Sequence, residues 1–279
     1  MLKKNFLTIL SHPVLLFCFA LMAGCNDAGS GNKSLFEKFN IPLLGKNVFV
    51  FSPEMDVKEI QAVIDTMFIR QSAPNSEFNT NRYALMFKPG EYKLDIRVSY
   101  YMQVSGLGNS PADVVIRGAV KSITTHHGNV LTNFWRAVEN LTVIPEKDSA
   151  MVWGVSQAAP LRKVHVKGNL QLFDKGYASG GFLADSKVDG RITSGPQQQW
   201  FTRNSMMKKW EGGVWNMMFV GVPQAPEEKW PENPYTVIDT TPVIREKPWL
   251  AYDKKGFCVK IPPIKINSAG PGWINNEKP

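Results

Sequence analysis

Residues 184–191, ADSKVDGR, carry two carboxylates and two cations within one short stretch. Two carboxyls that share acid and base work across a glycosidic bond sit about 5–5.5 Å apart for retention of configuration, or about 6.5–9.5 Å for inversion. Asp185 and Asp189 stand at i and i+4. On an extended strand they share a side but lie roughly 13 Å apart at about 3.3 Å per residue. They form a catalytic pair only if the chain bends between them. The plainer reading is that Asp185 caps a turn and Asp189 makes one with Gly190. Lys187, Arg191 and Arg203 are cations that a β-elimination lyase would set against an acidic sugar, often beside carboxylate-bound calcium; on a surface they are commonly just solvated. His126 and His127 are adjacent, so on a strand they point to opposite faces. Without a further His, Cys or Asp cluster at ligand spacing, neither a metal nor a cofactor is expected. His165, in KVHVKG, reads as a strand histidine.

Aromatic and amide side chains gather in the polar, glycine-rich region 174–234. Tyr177, Trp200, Trp210, Trp215 and Trp230 lie there with Gln197, Gln198, Gln199, Arg203 and Asn204. Sugar rings present apolar C–H faces that stack on indole, and their hydroxyls take amide and guanidinium partners. Tyr177, Gln198, Trp200, Arg203 and Trp210 are therefore the expected sugar-binding set. The stretch SGPQQQW (194–200) leaves a turn and enters a strand, where alternation gives Gln197 and Gln199 one face and Gln198 and Trp200 the other. The competing reading makes the tryptophans core filler and the glutamines a stacked surface ladder.

The elements that must position these residues are mostly strands. DVKEIQAVIDTMFIRQS (56–72) is the one clear helix: Ile60, Val63, Ile64, Met67 and Phe68 recur at three- and four-residue steps, and Asp56 with Glu59 supplies the cap. RYALMFKPGEYKL (82–94) reads as strand, Pro-Gly turn, strand. ENLTVIP (139–145), RKVHVKG (162–168) and DSKVDGR (185–191) then recur at about 23 residues, close to one coil of a right-handed parallel β-helix. A coil of that kind buries its inward face only against its neighbours. The helix suits the N-terminal cap of such a solenoid. The rival, a β-sandwich, calls for hairpin signals every 8–12 residues, and few are present.

The N-terminus bounds location. Lys3 and Lys4 precede an apolar stretch from Phe6 to Met22, followed by LMAGC (21–25), the pattern of a secretory signal rather than a membrane span. Cysteine after Ala-Gly resembles a bacterial lipoprotein signal, with Cys25 acylated as the mature N-terminus. NDAGSGNKS then reads as a flexible tether within 25–46. Removing 1–24 takes away two lysines and no acid, so the formal charge falls from +8 to +6. The cations are dispersed, with no patch or stripe to favour nucleic acid. With Cys18 lost and Cys25 lipidated, Cys258 stands alone and no intramolecular disulfide is expected.

RYALMFKPGEY, VSGLG, NFWRAVENLTVIP, VSQAAPLRKVHVKGNLQL, SGGFLADSKVDG, SGPQQQWFTRNS, WNMMFVGV and PYTVIDTTPVIREKPWL together resemble one bacterial family of pectin-lyase-like β-helices. Its members are often labelled coagulation factor 5/8 type domain or adenylyl cyclase proteins. The residues hold no glycine-rich phosphate loop and no evident pair of metal-binding aspartates for nucleotide cyclisation. The resemblance implies a β-helix domain over 47–266 and a tail over 267–279. It also implies twin solenoids in full-length relatives, similar in plan to laminarinase-type exo-β-1,3-glucanases. The present chain matches the first solenoid and stops at Pro279.

The expectation is thus an all-β, pectin-lyase-like right-handed parallel β-helix with an N-terminal capping helix. It would be carried by a cell-envelope lipoprotein, with an outer-membrane location favoured because Asn26 is not the retaining aspartate. Polysaccharide binding, extending to glycoside hydrolysis, is the leading function. The alternative is a non-catalytic module, half of a twin solenoid, docking a protein partner at its C-terminal end.

Overall fold

The computed structural model describes residues 34–274, apart from 126 and 148. It is a right-handed parallel β-helix. Its first face is a ladder of nine parallel strands. These are Val48–Phe51, Tyr83–Phe87, Met102–Gly106, the starts of Ala137–Ile144 and Ser156–Val166, then Gly180–Ala184, Gln199–Arg203, Asn216–Val220 and Tyr235–Ile238. Gly90–Arg97 and Val114–Lys121 begin the second face, which continues through the ends of the two long strands into Lys187–Thr193 and Met206–Glu211. Ala150–Val152 and Asn169–Gln171 belong to the third.

Register makes the core. On the first face Phe49, Leu85, Val104, Val138, Leu161, Leu183, Thr202 and Phe219 stack in one inward column, and every one of them is buried. Each coil presents a half-finished apolar surface that the next completes, which is why a single coil has no stability of its own. Helix Val57–Ser72 closes the N-terminal end as its pattern predicts, burying Ile60, Val63, Ile64, Met67 and Phe68, with Asp56 accepting from the amides of Lys58 and Glu59. It also protects an open strand edge: the Gln61 amide donates to the Asp95 carbonyl (2.8 Å) and accepts from the Asp95 N–H (3.0 Å). An unpaired edge would otherwise template association with another chain.

The coils stop at Ile238. From Thr241 the chain changes habit and forms two antiparallel pairs, Thr241–Ile244 with Lys265–Ser268 and Trp249–Asp253 with Gly256–Lys260. This segment runs back over one corner of the solenoid. The Tyr252 amide donates to Leu107 (2.7 Å), the Trp249 indole to Gly108 (3.0 Å) and the Gly270 amide to Gly221 (2.9 Å).

Two expectations about SGPQQQW are corrected here. The strand starts at Gln199, not at Gln197, because 195–198 is still turning. Alternation therefore begins later, and Gln197 and Gln199 do not share a face. Gln197 is wholly buried, donating to the carbonyls of Val155 (2.9 Å) and Leu172 (2.6 Å), while Gln199 is exposed. Trp200 is also core, 3 % exposed, and it fits because the coil beside it carries Gly181 in register. A Cβ at Gly181 would lie 2.3 Å from the indole. Gly181→Ala should therefore overpack the core and cost about 1–3 kcal/mol, lowering the thermal midpoint in calorimetry; an unchanged midpoint would show that the ring can move aside.

Candidate functional site

Where the first face turns into the second, successive coils repeat one unusual backbone state. Asn140, Lys163, Asp185 and Asn204 lie at equivalent positions and have φ of +52°, +54°, +48° and +44°, with Gly221 next at +62°. Left-handed conformation suits Asn, Asp and Gly and is costly for most other residues. The stack survives because each member is held. Asn140 donates to Gly106 and Gly108 (both 2.9 Å), and Asn204 donates to Ser268 (3.0 and 3.1 Å) and accepts from Thr241 (2.6 Å).

Beside this ladder, in the row just before it, stand Glu139, Arg162 and Arg203. The covering segment neutralises them. Lys247 binds both oxygens of Glu139 (2.6 and 2.7 Å), and Glu246 pairs with Arg203 (2.6 Å) and Arg162 (3.5 Å). Asp185 accepts from the Gly272 amide (2.5 Å) through its carboxylate and from the Trp273 indole (2.7 Å) through its backbone carbonyl. Burial, together with the nearby Glu246 charge, pushes the Asp185 carboxyl up to about 7, against the opposing pull of Gly272, Lys163 and Lys265. Burial also draws the Lys163 ammonium down to about 8, and its Nζ sits 3.2 Å from the centre of the Trp249 ring. A partly open cavity of about 260 Å³ lies beside Lys163, Asp185 and Glu246, walled by Trp249, Trp273, Ile261 and Pro262.

Asp185 and Asp189, the expected pair, are each held by different partners. The chain does bend at Asp185, but the two carboxylates share no partner. Asp189 is two-fifths exposed and bonded to His165 (3.0 Å) and Lys187 (3.3 Å), which hold its carboxyl below its usual value despite partial burial. Arg191 pairs with Glu211 (3.2 Å). Cys25 lies outside the described residues, as does His126.

The expected sugar-binding set is likewise divided. Trp200 and Trp210 are 3 % and 5 % exposed and belong to the core, Trp210 donating to Gly212 (2.8 Å); neither ring can stack on a ligand. Tyr177 is open, 69 % exposed. Gln198 serves the turn through its backbone, bonding Ala178, Trp215 and Asn216. Arg203 is spent on Glu246 and on the Phe182 ring, 5.5 Å away.

A sugar-sized groove does lie on the outer surface of the first face. It measures about 380 Å³ and is lined by Gln157, Gln199 and Asn216, the rings of Phe182 and Phe201, and the edge of Trp200. Phe182 and Phe201 are in register and stack at 5.2 Å and 21°. Exposed amides beside an apolar ledge bind neutral polyols. No carboxylate lines this groove, so by itself it can hold a glycan but not cleave one. The 19-residue step from Phe182 to Phe201 is one coil, and that spacing was the signal that could have identified the ledge.

The raised Asp185 value sets a pH signature. Its folded pKa of about 7 exceeds the ordinary 3.8, so the folded state binds more protons between those values and loses stability as pH rises from about 4 to about 7. Thermal midpoints measured at pH 5 and pH 7.5 should fall more steeply for the parent than for Asp185→Asn. Parallel profiles would count against the buried carboxyl.

No protein-family model matches the chain. It is 45 % identical over 236 residues to an exo-β-1,3-glucanase of Streptomyces sp. (strain SirexAA-E / ActE), which covers 83 % of this chain and 38 % of that protein. The structure of sacteLam55A from Streptomyces sp. SirexAA-E superposes with a TM-score of 0.80 at 45 % identity, over 83 % of this chain and 42 % of that one. A variant of sacteLam55A in complex with glucose gives 0.78 at 44 % identity, over 85 % and 42 %. The chain thus shares its β-solenoid with an exo-β-1,3-glucanase, and spans about two fifths of that enzyme's length.

Proposed function

We propose that this chain is the glycan-holding solenoid of a β-1,3-glucan-active protein, gripping the glucan on the outer surface of its first face. The observation that carries the reading is the 45 % identity to an exo-β-1,3-glucanase in a chain that bears a groove of amides and stacked phenyl rings. Gln157, Gln199 and Asn216 would take the sugar hydroxyls, and Phe182 with Phe201 the C–H face. Hydrolysis would draw its carboxylates from outside this groove. Asp185, whose carboxyl burial raises to about 7, has the pKa of a general acid near neutral pH, but the covering segment occupies it.

Titration of the full chain with laminari-oligosaccharides tests the reading. Gln199→Ala, which removes an exposed amide, should weaken binding about tenfold, the equivalent of one lost hydrogen-bonding group at about 1.4 kcal/mol, and leave the thermal midpoint in place. Absence of binding to any β-glucan by the parent would remove the proposal.

One observation favours the second reading, a docking module. Val243, Val259, Ile261, Ile264 and Ile266 are all more than half exposed on the covering segment, and Val243 is paired with Ile266 across two strands. An apolar surface of this kind marks an interface. Self-association or failure to bind glucan would move the weight to it.

The envelope location rests on the signal and Cys25, and among the described residues no helix is long and apolar enough to cross a membrane. Lipidation of Cys25 would place the solenoid at a membrane surface. Detergent-phase partitioning should then be lost in Cys25→Ala, and equal partitioning of both proteins would rule the anchor out.

A further inference from the structure

We propose that Tyr101 and Trp135 form a pyranose-stacking ledge, a second glucan subsite on the first face, separate from the groove at Gln199. The proposal rests on the glucan reading above and extends it along the solenoid.

The two residues occupy equivalent positions in neighbouring coils, just ahead of the registered pair Gln103 and Ala137. Their backbones are left-handed, φ +59° and +52°, where glycine or asparagine would be the unstrained choice. The Tyr101 amide donates to the Trp135 carbonyl (2.6 Å), and the rings lie nearly parallel, 5.3 Å apart at 5°. The Arg82 guanidinium caps the tyrosine ring at 3.3 Å. Cation, phenol and indole thus make one stack, and Trp135 at its end remains 42 % exposed.

The stack stops because the next coil is small. Ala158 follows Trp135 in register, and Gly180 and Gly181 follow in the coil after. Where another ring would continue the column there is open space, a groove of about 460 Å³ lined by Trp135, Ala158, Gln103 and Asn47. Ala158 lines this groove and the Gln199 groove alike, so the two are neighbours on the same face. A sugar stacked on the exposed side of Trp135 would take the place of the missing ring, with amides beside it for its hydroxyls.

Trp135 and Gln199 stand three coils apart, about 14 Å at one strand spacing per coil. A disaccharide therefore reaches one subsite, and a hexasaccharide can engage both. This length dependence separates the ledge from the groove.

The experiment is calorimetric titration of the full chain with laminaribiose and laminarihexaose, using the parent, Trp135→Ala and Arg82→Ala. The ledge predicts that Trp135→Ala weakens hexasaccharide binding tenfold or more and leaves the disaccharide unchanged, and that Arg82→Ala weakens hexasaccharide binding less. Each variant's thermal midpoint is measured alongside; if Trp135→Ala does not fold, Trp135→Phe and Arg82→Ala carry the comparison. Hexasaccharide affinity equal to the parent's in the folded variants would overturn the ledge while leaving the groove intact. If the parent binds neither oligosaccharide, groove and ledge fail together.

Discussion

Parallel stacking in register is the constraint on which the rest of this structure depends. Each coil lies on its neighbour with one-to-one pairing over most of the first face, so a position repeated in successive coils repeats its environment. The core, the corner and the outer surface are all columns of this kind. Leu85, Val104, Val138 and Leu161 form a column of aliphatic side chains, and Asn140, Lys163, Asp185 and Asn204 a column of left-handed residues. Trp135 and Ala158 belong to a third, where a change in size between coils opens a groove.

The corner column explains why the last part of the chain abandons the coil. Glu139, Arg162 and Arg203 beside it leave a solenoid surface with mixed charge and strained backbone. Two antiparallel strand pairs bring Glu246, Lys247, Gly272 and Trp273 onto it as counter-charges and hydrogen-bond partners. Burying so many charges is tolerable only because nearly all are paired, since an unpaired one would carry its full desolvation cost. The raised Asp185 carboxyl is the remaining strain in that arrangement, and it makes the cover sensitive to pH near neutrality.

Much of the fold was legible in the sequence. The 23-residue recurrence marked the coils, and the apolar periodicity of 56–72 marked the capping helix with its buried side chains. The candidate site was less legible, for reasons that particular residues show. Trp200 and Trp210 read as sugar platforms because tryptophan types alone do not reveal which face is inward; that depended on the strand starting at Gln199 and on Gly181 one coil away. Gln197 read as sharing a face with Gln199, yet it is buried because two carbonyls of neighbouring coils accept both hydrogens of its amide nitrogen. The covering segment joins Glu139 to Lys247 and Gly108 to Trp249, more than a hundred residues apart, and no local pattern announces such pairings. Phe182, Phe201 and Trp135 were present as residues but acquire meaning only as members of columns.

A crystal structure of the full chain with laminarihexaose tests the central claim most directly. Sugar rings lying along the outer surface of the first face, with one against Phe182 and Phe201 and hydroxyls within hydrogen-bond reach of Gln157 and Gln199, is the predicted result. Sugar bound instead in the cavity between Trp249 and Trp273, or a first face left bare at saturating oligosaccharide, would contradict it.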